Sequence, residues 1–501
     1  MKLSTSFITL ALALSPFAAA QDDARTISLK PLVNSVALQA LTSKLTLLGH
    51  AREFLKFSQL SGGTRAFGSK GHNATVSYIK TLLDLTGYYD TQLQTFPYLF
   101  SSGSATFAAN NEEFTTKWFT YGPSGDVTAL LVPVANLGCD ASDYPAEVEG
   151  KIAFISRGTC PFGLKAALAG SAKAAGAIIY NNAPELISGG TLGAPSNDAG
   201  PYAPVASISG ADAEKVLALL NAGTAVTGKL HVTATTETRY TSNVIATTKG
   251  GDKNNIVFSG GHTDSVPEGP GINDDGSGTI GLLDIALRLP LFSVKNAVRF
   301  GFWTAEEFGL VGSEHYVASL TPEEQQKIAL YLNFDMIASP NFGYFIYDGD
   351  GSAFGTKGPD GSAHIEKTFE DWFKSKKLIS APTEFSGRSD YGPFLDVGIP
   401  SGGLFTGAEV KKTEEQAKWW GGEAGVSYDK CYHLKCDDLS NLHTEAWVQN
   451  TRAAAHSIAT YARSLDGIPR GTRSVPSQSR LQGLSYDDRK HYSCGHEVFD
   501  L

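Results

Sequence analysis

Charged residues are scarce in this 501-residue chain, with Asp, Glu, Lys and Arg together making up 18%. No stretch concentrates Lys or Arg, so the electrostatic footprint of nucleic-acid binding is missing. The 41 basic and 51 acidic residues leave a formal charge of −10, which fits a soluble protein and names no partner. Long apolar runs are also lacking. The run Phe7 to Leu14 falls far short of the roughly 20 residues a spanning helix needs, and no later segment does better, so no membrane span is expected. No internal repeat at solenoid periods is evident, which excludes a repeat array. Cysteine is sparse, with five in all.

What is present begins with an export signal. Met1-Lys2 gives a positive start, an apolar run follows, and Ala18-Ala19-Ala20 precede Gln21. That order is a secretory signal peptide over residues 1–20, and residues 21–35 read as a propeptide. A secreted, extracellular protein keeps disulfides. Cys139 with Cys160 and Cys431 with Cys436 are the natural pairs by proximity, and closing loops of those sizes contributes roughly 3 and 2 kcal/mol in the chain-entropy model. Cys494 is left over, a free thiol or an intermolecular link. Asn73-Ala74-Thr75 is a glycosylation sequon just before an apparent helix, where it would face solvent.

From about Val36 to Tyr89 the pattern is helical, with Val76, Ile79 and Leu83 at i, i+3 and i+7. Residues 90–120 alternate as strands do. Residues 122–238 are rich in Ala, Gly and Val, and read as a small βαβ-containing module: a strand at 151–156, a helix at 163–174 and a strand at 177–180. From about Asn243 to Ser464 strands and helices alternate, which gives an α/β domain with a mostly parallel sheet. The stretch 466–501 is polar and reads as a poorly ordered tail. The Gly-rich stretch from Gly189 to Gly193 matches no phosphate loop.

Acids and histidines cluster where predicted strands end. His262 and Asp264 follow the strand 255–259, Glu306 and Glu307 follow the strand 298–303, and Asp335 sits at the end of a third strand, read over 330–337. Open α/β sheets bind ligands at the carboxyl ends of their strands, so these residues are expected to meet. With Asp274 and Asp275 they place more carboxylates together than can stay ionised without a cation. A divalent metal, and more than one, answers that conflict. Taken singly the signals are ordinary: Glu306-Glu307 suits a charged first helical turn, and Asp274-Asp275-Gly276 suits a turn. Asp335 in an apolar strand is the exception, because an ionised acid there needs a partner.

In order along the chain stand GGHTDS, GPGINDDGSG, FWTAEEFGLVGS, YLNFDMI, GRSDYGPF and CYHLKCDD. Over residues 40 to 465 these segments resemble the two-zinc aminopeptidases of the bacterial leucyl aminopeptidase and yeast aminopeptidase Y type, and look most like secreted fungal leucine aminopeptidases. NLGCDASDYP and ISRGTCPFGLKA resemble a protease-associated domain. The resemblance implies an α/β fold with a mixed, mostly parallel central sheet flanked by helices. Its peptidase domain would span 36–121 and 239–465, with the protease-associated domain inserted at 122–238. It implies two Zn2+ per chain, one bound by His262 and Asp335, the other by Glu307 and His433, with Asp274 bridging. Such a donor set suits zinc chemically.

The same resemblance gives the remaining roles. Asp264 would accept a hydrogen bond from the distal ring nitrogen of His262. The Asp274–Asp275 peptide resembles the family's cis bond. Glu306 would be the general base, and Tyr432 would donate to the developing oxyanion. Arg388 would contact the substrate backbone. Glu306 and Asp335 would meet the free α-amine of a peptide, and an apolar pocket would favour Leu. The Cys431–Cys436 pair would stiffen the loop of Tyr432 and His433. The expected partners are peptides with a free N-terminus, with no nucleic acid and no membrane, and the chain is expected to work as a monomer. A carboxypeptidase-like relative, a glutaminyl cyclase and a non-catalytic receptor-like protein share this fold. The complete five-ligand set and Glu306 argue against the last two, whereas ligands alone do not decide which peptide end is read.

Overall fold

The computed structural model describes residues 30–187 and 190–471. The stretch 1–20 read as a signal peptide, Cys494 and the residues beyond 471 lie outside the described residues. The chain enters through three helices, α1 (Ser35–Ala40), α2 (Lys44–Gln59) and α3 (Lys70–Leu85), each begun by a polar side chain that accepts a first-turn N–H: Asn34, Ser43 and Ser69. Val76, Ile79 and Leu83 on α3 are buried, as their spacing requires. Asn73 lies in the first turn of α3 and is exposed, within the helix and not ahead of it.

β1 (Tyr89–Ala109) leads out to the inserted module, built from β2 (Gly125–Pro133), β3 (Ile152–Ser156), α4 (Phe162–Ser171), β4 (Gly176–Tyr180), β5 (Val205–Ile208) and α5 (Gly210–Asn221). Here β2, β3, β4 and β5 pair in parallel in that order. The module has its own apolar cores, one around Ile155 and Ile179 and one around Phe154 and Ile178. β6 (Thr227–Thr248) returns antiparallel to β1, in register from Tyr89↔Thr248 to Ala109↔Gly228, so a long two-stranded ribbon joins module and main domain.

The main domain continues with β7 (Asp252–His262), α6 (Gly276–Arg288), β8 (Asn296–Trp303), β9 (Ile328–Phe334), β10 (Phe345–Tyr347), α7 (Ser362–Ser375), β11 (Ser401–Phe405) and α8 (Thr444–Arg463). Across the sheet the order is β10-β11-β9-β7-β8-β6-β1. The central pairs β8-β7, β7-β9 and β9-β11 are parallel, while β6 and β10 run antiparallel to their neighbours β8 and β11. Every residue of β9 is buried, as expected of a strand covered on both faces. Its alternate residues Leu330, Leu332 and Phe334 pack with the helices α6 and α8, and Tyr331 packs on the other face with Phe258, Trp303 and Phe394.

Both ends of the described stretch are docked on the main domain. Val33, inside the segment read as a propeptide, is fully buried and donates its N–H to Ser293 O at 2.8 Å. The tail read from residue 466 starts docked, with Ile468 buried and Arg470 donating to Asn254 O and Gln326 O. One apolar or cationic side chain in each otherwise polar stretch finds a partner far away in sequence. Both expected disulfides are formed, Cys139–Cys160 in the module and Cys431–Cys436 in the main domain. No helix among the described residues is long and apolar enough to cross a membrane.

Candidate metal centre

Because β7, β8 and β9 run parallel, with His262 opposite Trp303 and Gly260 opposite Asn333, their carboxyl ends share one edge of the sheet. His262 ends β7, Glu306 and Glu307 follow β8 by three and four residues, and Asp335 is the first residue past β9. Asp274 arrives from the loop before α6 and His433 from the loop closed by Cys431–Cys436. The backbone at this edge is unusual. Ala305, Met336 and His433 are non-glycine residues with φ of 53°, 48° and 56°, and each is a ligand candidate or its immediate neighbour. The Asp274–Asp275 peptide is cis.

Asp274 stands between the two imidazoles. Its Oδ1 lies 3.3 Å from His262 Nε2, and its Oδ2 lies 3.1 Å from His433 Nε2. On the first side Asp335 Oδ1 and Glu306 Oε2 are each 3.7 Å from His262 Nε2. On the second, Glu307 Oε2 is 3.0 Å from His433 Nε2. His262, Asp274 and Glu307 offer ligand atoms within 4.8 Å of one another, as do His262, Glu306 and Asp335. The structure thus brings together His262, Asp274, Glu306, Glu307, Asp335 and His433.

The electrostatics of this edge are those of a site built around a cation. Burial pushes Glu306 well above the ordinary carboxyl range, Glu307 up to about 7 and Asp335 up to about 6, with neighbouring acids adding to the burial effect. Burial also opposes ionisation of Asp274, yet the imidazoles on either side hold it below its usual range. Both histidines are raised well above theirs. Burial is the largest single influence and disfavours their charged forms, but the surrounding acids together outweigh it, Glu306, Asp264, Asp274 and Asp335 for His262, and Glu307 and Asp274 for His433. Asp274 Oδ2, Glu307 Oε2, Asp335 Oδ1 and His433 Nε2 are buried with no hydrogen-bond partner. Bare oxygens and an imidazole nitrogen converging in this way fit zinc.

Two further acids organise the edge, Asp275, which the sequence already places in the carboxylate cluster, and Asp437, which it does not single out. Asp275 accepts three backbone N–H groups, from His262 at 3.0 Å, Gly278 at 2.8 Å and Met336 at 3.1 Å, and so ties β7, α6 and β9 together. Glycine is required where α6 meets β9: a Cβ at Gly278 would lie 1.9 Å from Phe334 O. Asp437 accepts from Asn273 N and Asp274 N, which joins the loop carrying His433 to the one carrying Asp274. Ser389 donates to Asp335 Oδ2 at 2.5 Å. Asp275, Ser389 and Asp437 stand inside the motifs GPGINDDGSG, GRSDYGPF and CYHLKCDD, but no local pattern distinguishes an acid that accepts backbone N–H groups from one left bare.

One expected contact changes, that of Asp264 with His262. Asp264 Oδ1 is 3.6 Å from His262 Nδ1, too far for a hydrogen bond, and instead accepts the N–H of Glu306 at 3.1 Å. Arg388 donates to Glu409 Oε1 at 2.7 Å and to the Tyr432 hydroxyl at 3.2 Å. It lies on the wall of a pocket that opens onto Asp274 and Asp335 and is lined also by Tyr432, Tyr347, Phe405 and Met336.

Comparisons with known proteins follow the same division of the chain. Residues 243–458 match the model of Peptidase family M28, and residues 127–216 match that of the PA domain. The chain is 55% identical to a probable leucine aminopeptidase 2 of Aspergillus oryzae over 406 residues, covering 81% of this chain and 82% of that protein. It is 51% identical to one from Aspergillus fumigatus, covering 90% of each. Among solved structures, an aminopeptidase from Aneurinibacillus sp. strain AM-1 superposes with a TM-score of 0.63 at 27% identity, covering 89% of this chain and 99% of that one. With its α/β domain and inserted PA domain, the chain belongs to Peptidase family M28.

Proposed function

We propose that this metallo-aminopeptidase is secreted and works with two zinc ions, His262 and Asp335 holding one, Glu307 and His433 the other, and Asp274 shared between them. The observation that carries this reading is the placement of Asp274, whose two oxygens face different imidazoles at 3.3 and 3.1 Å. Zinc, when bound, supplies Lewis acidity that polarises a carbonyl and makes water acidic near neutral pH. The chain's own residues do the rest.

Glu306 takes a proton from the attacking water and gives it to the leaving amine. Its raised affinity for protons suits both halves of that transfer. Asp264 holds the Glu306 backbone in place through its N–H. The Tyr432 hydroxyl accepts a hydrogen bond from Arg388 and donates to the oxyanion that forms at the scissile carbonyl. Arg388 supports Tyr432 and, from the wall of the pocket, also contacts the substrate backbone.

Recognition of the peptide's free α-amine falls to Glu306 and Asp335, buried acids beside the pocket. The Met336, Tyr347 and Phe405 side chains line that pocket and suit an apolar residue such as Leu. All donors come from one chain, which is consistent with a monomer, and the signal-like start at Met1-Lys2 is the ground for secretion. Leucyl-p-nitroanilide assayed against its N-acetylated form tests the reading. Cleavage of the free amine alone, lost on strong zinc chelation, is expected, and equal cleavage of both would overturn it.

A further inference from the structure

Arg65 is the one buried arginine among the described residues, with no exposed surface at all. A guanidinium so deep normally meets a carboxylate. Here it meets backbone carbonyls. Nε donates to Pro270 O at 2.9 Å, Nη1 to Thr263 O and Nη2 to Gly271 O. Burial lowers its proton affinity only to about 10, so it stays cationic at neutral pH. Its ring-facing side rests on Phe54 of α2, 4.9 Å from the ring centre.

The three carbonyls belong to two segments with different duties. Thr263 lies between His262 and Asp264, at the end of β7. Pro270 and Gly271 open the run that delivers Asp274. Gly271 has φ of 59°, and a Cβ there would come within 2.3 Å of Asp274 O, so the backbone is folded tightly against the bridging acid. Its carbonyl also accepts the N–H of Gly276, the first residue of α6. A planar fork with fixed donor directions therefore spans both segments at once, which the point charge of a lysine cannot do.

Neighbours of Arg65 grip the same loop. Its own N–H donates to Ser265 Oγ at 2.9 Å, and Thr64 Oγ1 donates to Val266 O at 2.7 Å. His72 is fully buried. Its Nδ1 accepts the Gly68 N–H, so Nε2 carries the proton and donates to Thr263 Oγ1 at 2.9 Å. That hydroxyl donates onward to Trp303 O at the end of β8. Residues 64–72, which contain no ligand candidate for the metal centre, thus fasten the backbone that follows His262 to the approach to Asp274.

We propose that Arg65 is a positioning residue of the metal centre: its guanidinium fixes the spacing of the His262 and Asp274 segments, so that the ligands hold metal in a preset geometry. This rests on the two-metal reading above, and the test separates the two. Wild-type and Arg65→Lys holoenzymes are titrated with a zinc chelator, and zinc release and kcat are followed together. Lysine keeps the charge and loses the fork, so release is expected at roughly 10- to 100-fold lower chelator, with kcat falling more than KM rises. Superimposable release curves from two folded proteins would overturn the proposal. Wild-type protein that holds no zinc would instead sink the two-metal reading. Should Arg65→Lys not fold, Phe54→Leu removes the ring on which the guanidinium rests and so loosens the fork itself. About a threefold shift in the same direction is expected, and no shift would count against the proposal as firmly.

Discussion

Asp348, Asp350 and Glu366 bring ligand oxygens within 4.8 Å of one another, just as His262, Asp274 and Glu307 do. Both groups sit beside strand ends of the same sheet, and in both burial pushes a glutamate up to about 7. They differ in what the oxygens meet. In the second group backbone amides supply the positive partner: Glu366 Oε2 accepts from Gly349 and Asp350, Asp348 Oδ2 from Ala353 and Phe354, and Asp350 Oδ1 from Ser352. One oxygen, Asp348 Oδ1, is left without a hydrogen bond. At the candidate metal centre the amides go elsewhere. Asp275 and Asp437 take them and keep no bare oxygen, Asp264 takes one on Oδ1 while its Oδ2 stays bare, and Asp274, Glu307 and Asp335 each keep a bare buried oxygen. The acids have been divided into those that hold the backbone and those held ready for a cation. Two imidazoles complete the second set, and the loop of Asp348 has none.

The sharpest way to test that division is at Glu306, whose backbone is held by one acid while its side chain stays in the cluster. Glu306→Gln preserves shape and removes the proton acceptor. We expect kcat to fall by at least roughly 100-fold while metal content, measured by atomic absorption, is unchanged. Near-normal turnover would remove Glu306 from its role.

A smaller effect separates the protein with and without metal. Glu307 at about 7 and Asp335 at about 6 bind protons more tightly folded than unfolded, and so do His262 and His433. Groups raised in this way make the folded state the better proton binder, so stability rises as pH falls. The zinc-free protein should therefore gain on the order of 2 kcal/mol in urea unfolding between pH 8 and pH 6. The zinc-loaded protein should lose stability over the same interval, because protons displace the metal. Parallel trends in the two forms would mean that the bare oxygens are not the ligands.

The sequence makes much of this legible, and the reason is geometric. Parallel strands put their carboxyl ends on one edge, so His262, Glu306, Glu307 and Asp335 can be gathered from strand patterns alone. His433 and Tyr432 have no strand to announce them, and only resemblance to a family places them. Of the holding acids, Asp264 and Asp275 are legible as members of the cluster but not in the amides they accept, and Asp437 is not legible at all. Asp437 reaches Asp274 across 163 residues and Asp275 reaches Met336 across 61, and nothing in the local pattern marks either contact. Arg65 is harder still, since the carbonyls it meets leave no trace in side-chain identity. The long-range docking of Val33 and Ile468 was missed because a single buried side chain in a polar stretch carries no periodicity.

The smallest expected effect lies in the second cluster. At pH 8 Glu366 is ionised beside Asp348 and Asp350, yet it is held by two amides that a glutamine oxygen can also satisfy. Glu366→Gln removes a charge repelled by its neighbours and keeps the acceptor. Its kcat should stay within about twofold of wild type and its unfolding free energy within about 1 kcal/mol, because loss and relief are of similar size. The informative control is calcium. If backbone amides are the partners of this loop, millimolar Ca2+ shifts the melting temperature of neither protein. A calcium-dependent rise in wild type that Glu366→Gln abolishes would show that Asp348 Oδ1 is bare for the same reason as Asp274 Oδ2, and the contrast between the two clusters would fall.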